Sequence, residues 1–214
     1  AISLVPAPLA PTRFGFWGLN GYVSDRGFAD VRARMGVRLV QTATMNPAWA
    51  VESLLPLARS AGMTVTLRLS GDHPGYTRDG NFDLAAWKQM MLVWRNSALG
   101  PFVDDGTLAG HMLLDDIDTF AGYNPNAADL DEMARFSKEL IPGLMTFVRQ
   151  KATEMPKPQD GRYRHLDAVV NQYKAVDGDV SAYAARQVAA AAALDVGIIN
   201  GMNIADGGDG SSGR

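Results

Sequence analysis

Met63-Thr64-Val65-Thr66-Leu67-Arg68-Leu69-Ser70 alternates without a break: Met63, Val65, Leu67 and Leu69 fall on one face, Thr64, Thr66, Arg68 and Ser70 on the other. Successive side chains of a strand point to opposite faces, so this run reads as a strand with one apolar and one polar side. A doubly wound sheet buries both faces under helices, whereas a barrel lines its lumen with polar groups near the mouth. The alternation therefore favours a barrel whose apolar side meets helices.

Outward from this run the same rhythm repeats. Before it stand Phe14 to Asn20 and Val37 to Thr44; after it come Leu108 to Asp115, Leu144 to Lys151, Asp167 to Tyr173 and Val196 to Asn203. Helical patterns separate most of these seven runs, which is the order that calls for a parallel sheet. Ser24 caps a helix to Met35, and Asn46-Pro47 opens another that ends before Gly62. Further helices are expected over Asp83 to Ala98, Asn126 to Leu140 and Ser181 to Leu194. Trp87 and Trp94, seven residues apart, share a helix face and read as packing residues. The stretch Thr153 to Gly161 is too rich in Pro and Gly for a helix, so one crossover is expected to be a loop. The fold class is thus α/β, a (β/α)8-type TIM barrel with seven readable strands and an eighth missing or supplied from elsewhere. A chain that continues past Arg214 is the favoured way to fill the gap, with a protein partner over the open barrel edge or the N-terminal lead as alternatives. The expected divisions are a Pro-rich lead over 1–13, the barrel over 14–203 and a Gly/Ser/Asp-rich tail over 204–214.

Composition narrows the function. The net charge of -3 comes from interleaved acids and bases, without the basic stripe that nucleic acid requires. Asp195 and Pro142 interrupt the two longest apolar stretches, short of the roughly 20 residues a membrane helix needs. Cysteine is absent, which is neutral about compartment. The start Ala1-Ile2-Ser3, followed by Pro6, Pro8 and Pro11, reads like the mature end left by signal cleavage, so a periplasmic or secreted location is expected.

Function in a parallel barrel gathers at the C-terminal strand ends. There the sequence offers Trp17, Asn20, Arg68, His73, Asp115, Asp116, Asp118, Arg149, Lys151, Asn171, Tyr173, Asn203 and Asp206. The most informative segment is Gly110-His111-Met112-Leu113-Leu114-Asp115-Asp116-Ile117-Asp118, an apolar strand running into three carboxylates. Crowded carboxylates disfavour one another's charge, one route to a general acid; the same acids equally read as a solvated, helix-capping turn. His73, His111 and His165 lack metal-ligand spacing and read as structural. Asp206 to Gly213 holds oxygen ligands for Ca²⁺ but lacks the spacing of a calcium loop, so no cofactor is expected. Phosphate-binding Gly-rich loops and nucleophile elbows are absent from the sequence.

Phe14 to Asn20, Gly110 to Asp118 and Gly201-Met202-Asn203-Ile204-Ala205-Asp206-Gly207-Gly208 together resemble extracytoplasmic sugar-processing barrels of the glycoside-hydrolase-like superfamily. The resemblance implies a carbohydrate or other small polar ligand, bound by Trp17, Asn20, Arg68, His73, Asp118, Tyr123, Asn171, Tyr173 and Asn203. It departs at the acids. Such hydrolases commonly carry Glu at the ends of strands four and seven, and the only four Glu here, Glu52, Glu132, Glu139 and Glu154, lie in helices or the Pro-rich connection. A hydrolase would have to run on Asp, with Asp115 or Asp116 as acid and Asp206 as partner. Their carboxyls would stand about 5 to 5.5 Å apart for retention or roughly 6.5 to 9.5 Å for inversion. The alternative is a barrel without catalysis, serving as a binding or structural subunit of a larger extracytoplasmic assembly.

Overall fold

The structure, a computed structural model, describes residues 15–16, 24–71, 73–117 and 124–202. The expected lead and tail lie outside these residues. Seven parallel strands form one curled sheet: β1 Gly15–Phe16, β2 Leu39–Ala43, β3 Thr64–Arg68, β6 Leu108–Asp115, β7 Met145–Arg149, β8 Ala168–Tyr173 and β9 Gly197–Met202. A two-stranded hairpin, β4 Thr77–Arg78 and β5 Asn81–Phe82, stands apart in the loop after β3. Sheet order follows chain order throughout, and every pairing in the large sheet is parallel. A doubly wound sheet reverses its order at a switch point; one that never reverses is the wall of a β/α barrel. Among the described residues β1 pairs only with β2 and β9 only with β8, so the sheet is an incomplete barrel.

The caps read from sequence hold. Ser24 accepts from the Gly27 N–H at the start of α1 (Asp25–Met35), and Gly36 ends it at φ 66°. Asn46 accepts from the Trp49 N–H and Pro47 opens α2 (Pro47–Trp49). The single helix expected here is instead broken by a π-turn over Ala50–Leu54 before α3 (Leu55–Ser60). Pro56 is the cause: it has no N–H for the Glu52 carbonyl and its ring crowds that carbonyl, so the turn widens. Asp83 caps α4 (Leu84–Met91), which tightens into a 3-10 turn over Leu92–Trp94 and so stops short of Ala98. A short α5 (Gly100–Asp104) had no clear signal in the sequence. Asn126 and Asp129 form a capping box on α6 (Ala127–Leu140), and Asp179 caps α7 (Val180–Ala193). Between β7 and β8 the helix is indeed replaced, by a 3-10 turn over Ala152–Glu154 and a loop.

An apolar layer covers the outer side of the sheet, and a smaller one lines the inner side from β6 to β9. On the outer side Val40, Val65, Leu67, Leu69, Val148 and Val169 pack with helix residues that include Trp87 and Trp94, both fully buried as packing residues. The Trp94 indole N–H donates to the Leu69 carbonyl at 2.8 Å. On the inner side Met112, Phe147, Ala168 and Val170 form a separate cluster with Met145 and Ile199. Gly110 leaves room for this layer: a Cβ there would lie 2.9 Å from Phe147 Cε1 and 3.0 Å from Met145 Cε. Gly110→Val is therefore expected to overpack the lumen and cost about 1–3 kcal/mol, read as a lowered urea midpoint at unchanged slope.

Candidate functional site

Along β6 and β7 the inner face of the sheet turns from apolar to charged toward the C-terminal strand ends. On β7 the residues Met145 and Phe147 belong to the inner cluster, and Arg149 follows at the same parity. Parity alone would send Asp115 outward, because Met112 on β6 is an inner residue and lies three positions away. The register between β6 and β7 slips between Met112 and Leu114, so that Phe147 faces Met112 and Arg149 faces Asp115. Leu113 and Leu114 both join the outer core. This bulge re-aims the end of β6 and delivers Asp115 to the lumen beside Arg149.

Four charged side chains from three consecutive strands meet there. The Arg149 guanidinium bridges two carboxylates, with Nε against Asp115 Oδ1 and Nη2 donating to Asp116 Oδ2. Arg68, the last residue of β3, approaches Asp115 Oδ2 from the other side at 3.8 Å. The side chains of Arg68, Arg149 and Asp115 are 15%, 18% and 23% exposed, whereas Asp116 is 40% exposed at the rim. Asp116 also carries a left-handed backbone, φ 46°, and its N–H donates to the Arg149 carbonyl at 3.1 Å. Arg149 thus holds Asp116 at both backbone and side chain. The sequence reading expected crowded acids; the structure instead interleaves them with two guanidiniums, and two Arg against two Asp sum to no net charge.

The remaining candidates divide. Asn171 and Tyr173 take the parity of Val169, the outer side of β8. Asn171 Nδ2 donates to Asn200 Oδ1 at 2.7 Å; the Tyr173 hydroxyl donates to the Gly178 carbonyl at 2.7 Å and its ring meets Tyr183 edge-on at 5.3 Å. Neither joins the Arg–Asp set. His73 begins a 3-10 turn, His73–Tyr76, in the loop after β3. Trp17, Asn20, Asp118, Tyr123, Asn203 and Asp206 lie outside the described residues. His111 points outward, as a structural histidine should: its Nδ1 lies 2.7 Å from Ser137 Oγ, and the ring stacks on Trp87. Burial pushes its pKa down to about 3.

A second polar group gathers beyond β7 and β8. Lys151 Nζ donates to Asp177 Oδ1 at 2.7 Å and lies 3.7 Å from Glu154, and the hydrogen bond to Asp177 raises the lysine above its ordinary value. Glu154 also accepts from Gln150 Nε2 at 3.4 Å. Glu132 and Glu139 pair with Arg135 on α6, so neither enters the Arg–Asp set. Asp177 carried no signal in the sequence, because its role depends on a lysine 26 residues away. A cleft of about 370 Å³ between the start of α6 and residues 158–164 shares no residue with the Arg–Asp set. Among the described residues no three His, Asp or Glu converge as metal ligands, and no helix is long and apolar enough to cross a membrane.

No protein-family model and no curated protein matches the chain. Solved structures do match. Endo-glycoceramidase II from Rhodococcus sp. aligns over 92% of this chain and 68% of its own, at TM-score 0.57 and 15% identity. The glycoside hydrolase family 17 β-1,3-glucanosyltransferase from Rhizomucor miehei aligns over 88% and 70%, at TM-score 0.57 and 13% identity. A cellulase solved with an inhibitor aligns over 92% and 76%, at TM-score 0.55 and 10% identity. The chain shares the β/α-barrel fold of these three proteins. At these identities the likeness is one of fold, and one fold hosts many functions.

Proposed function

We propose that the protein binds or processes carbohydrate at the C-terminal mouth of its barrel, around Arg68, Asp115, Asp116 and Arg149. The observation that carries this is the convergence of these four side chains from β3, β6 and β7 at the strand ends where barrels of this fold host function. Carboxylates that accept and guanidiniums that donate, both planar and bidentate, suit the vicinal hydroxyls of a sugar ring. Hydrolysis would use Asp115 or Asp116 as acid with Asp206 as partner, and the reading needs no cofactor. A periplasmic or secreted location agrees with such substrates. A screen of aryl glycosides and oligosaccharides tests it: Asp115→Asn and Asp116→Asn are each expected to lower any hydrolysis about 100-fold. Activity indifferent to both changes removes these residues from the mechanism.

One observation favours a second reading, a barrel that binds without hydrolysing. Three of the four Glu are engaged by Lys or Arg outside the Arg–Asp set, and Asp115 and Asp116 are themselves held by guanidiniums. A partner strand over the open edge of β9 would fit this role. Binding of oligosaccharides without turnover, together with purification as a complex from the native source, is the expected result under it.

A further inference from the structure

Resting on the carbohydrate reading, we propose that the two aspartates divide the work: Asp116 contacts the ligand, and Asp115 is a counter-ion that fixes Arg149, the residue positioning Asp116. Three independent features separate them. Asp115 sits between two guanidiniums, with Oδ1 against Arg149 and Oδ2 toward Arg68, and only 23% of its side chain is exposed. Asp116 is 40% exposed and stands one residue beyond the end of β6, further toward the mouth. Its backbone lies at φ 46°, a left-handed conformation in which a residue with a Cβ is strained.

Arg149 holds Asp116 in this conformation. The Asp116 N–H is tied to the Arg149 carbonyl and its carboxylate to the Arg149 guanidinium, so Arg149 engages it at backbone and side chain alike. Arg149 is in turn aimed by Asp115, its register partner across the β6–β7 ladder. The chain of control runs from Asp115 to Arg149 to Asp116. Asp79 and Asp195 take the same left-handed region in turns, so what sets Asp116 apart is its place at the rim, with its carboxylate on Arg149 and still 40% exposed to a ligand.

Asp116→Gly and Asp116→Ala both delete the carboxylate and differ in backbone strain, so their comparison isolates it. The glycine variant is expected to melt about 3 °C above the alanine variant. Both are expected to bind cellotetraose and laminaritetraose at least tenfold more weakly than wild type by titration calorimetry. Asp115→Asn is expected to melt below the glycine variant yet keep affinity within tenfold of wild type. Equal melting of the Gly and Ala variants, wild-type affinity in either, or an Asp115→Asn protein that melts normally and does not bind overturns the division. Wild-type protein that binds neither sugar overturns the carbohydrate reading and the ligand role of Asp116 with it. That result differs from failure of the division alone, in which wild type binds and the Asp116 variants bind as well.

Discussion

Between pH 7 and pH 4.5 the folded protein is expected to lose about 3 kcal/mol of stability through one side chain, His111. The ring lies between β6 and α6, fully buried, with Nδ1 on Ser137 and one face on Trp87. Desolvation lowers its pKa from 6.5 to about 3, so it stays neutral in the fold where an unfolded chain would protonate it. The sign follows from proton binding: below the unfolded value the unfolded state takes up more protons. The contribution is intact above pH 6.5 and drains away at about 1.4 kcal/mol per unit as the pH falls toward 3. Urea unfolding of wild type and His111→Gln at several pH values measures it. Glutamine can keep a hydrogen bond to Ser137 but cannot titrate, so the variant is expected to start about 1–3 kcal/mol less stable at pH 7 and to show a flatter acid limb. Parallel limbs in the two proteins would show that another group senses the acid.

The fold was largely legible because its signals are local. Alternation over 63–70, the caps at Ser24 and Asn46, and the helix-free stretch after Thr153 each depend on neighbours a few residues away. The β4–β5 hairpin was legible too, though unused: Asp79-Gly80 is a two-residue turn signal, and both residues adopt positive φ, 50° and 77°. The site was less legible because it depends on register. Asp115 reaches the lumen only through the bulge at Leu113, which no period-2 reading of β6 contains. Asn171 and Tyr173 show the converse: they stand near a strand end, but their parity with Val169 turns them outward, Asn171 to Asn200 and Tyr173 to Tyr183 of α7. That Arg149 lies opposite Asp115 is a matter of strand pairing across 34 positions, and composition is silent on it.

The loop that replaces the β7–β8 helix supplies the other large expected effect. Asp131, on α6, gathers three successive backbone N–H groups on Oδ1, those of Arg164 at 2.9 Å, His165 at 2.7 Å and Leu166 at 3.2 Å. Around it the Tyr163 hydroxyl donates to the Pro156 carbonyl, and Lys138 reaches both the His165 carbonyl and Asp167. A crossover without a helix satisfies fewer of its amides locally, and for these three a carboxylate from a neighbouring helix does it. Charge-assisted bonds contribute about 1.5–3 kcal/mol where neutral ones contribute about 1, and three donors share this oxygen at the edge of solvent. Asp131→Ala is therefore expected to cost about 3 kcal/mol, and Asp131→Asn, which keeps an oxygen but not the charge, about half as much. Hydrogen exchange localises the effect: the amides of Arg164, His165 and Leu166 should lose protection in the alanine variant while those of β2 and β3 keep theirs. Loss of protection spread evenly over the sheet would mean that Asp131 supports the barrel as a whole. Loss confined to the loop, with β8 still paired to β7, would mean that strand pairing alone keeps Val148 and Arg149 in register once the crossover is released.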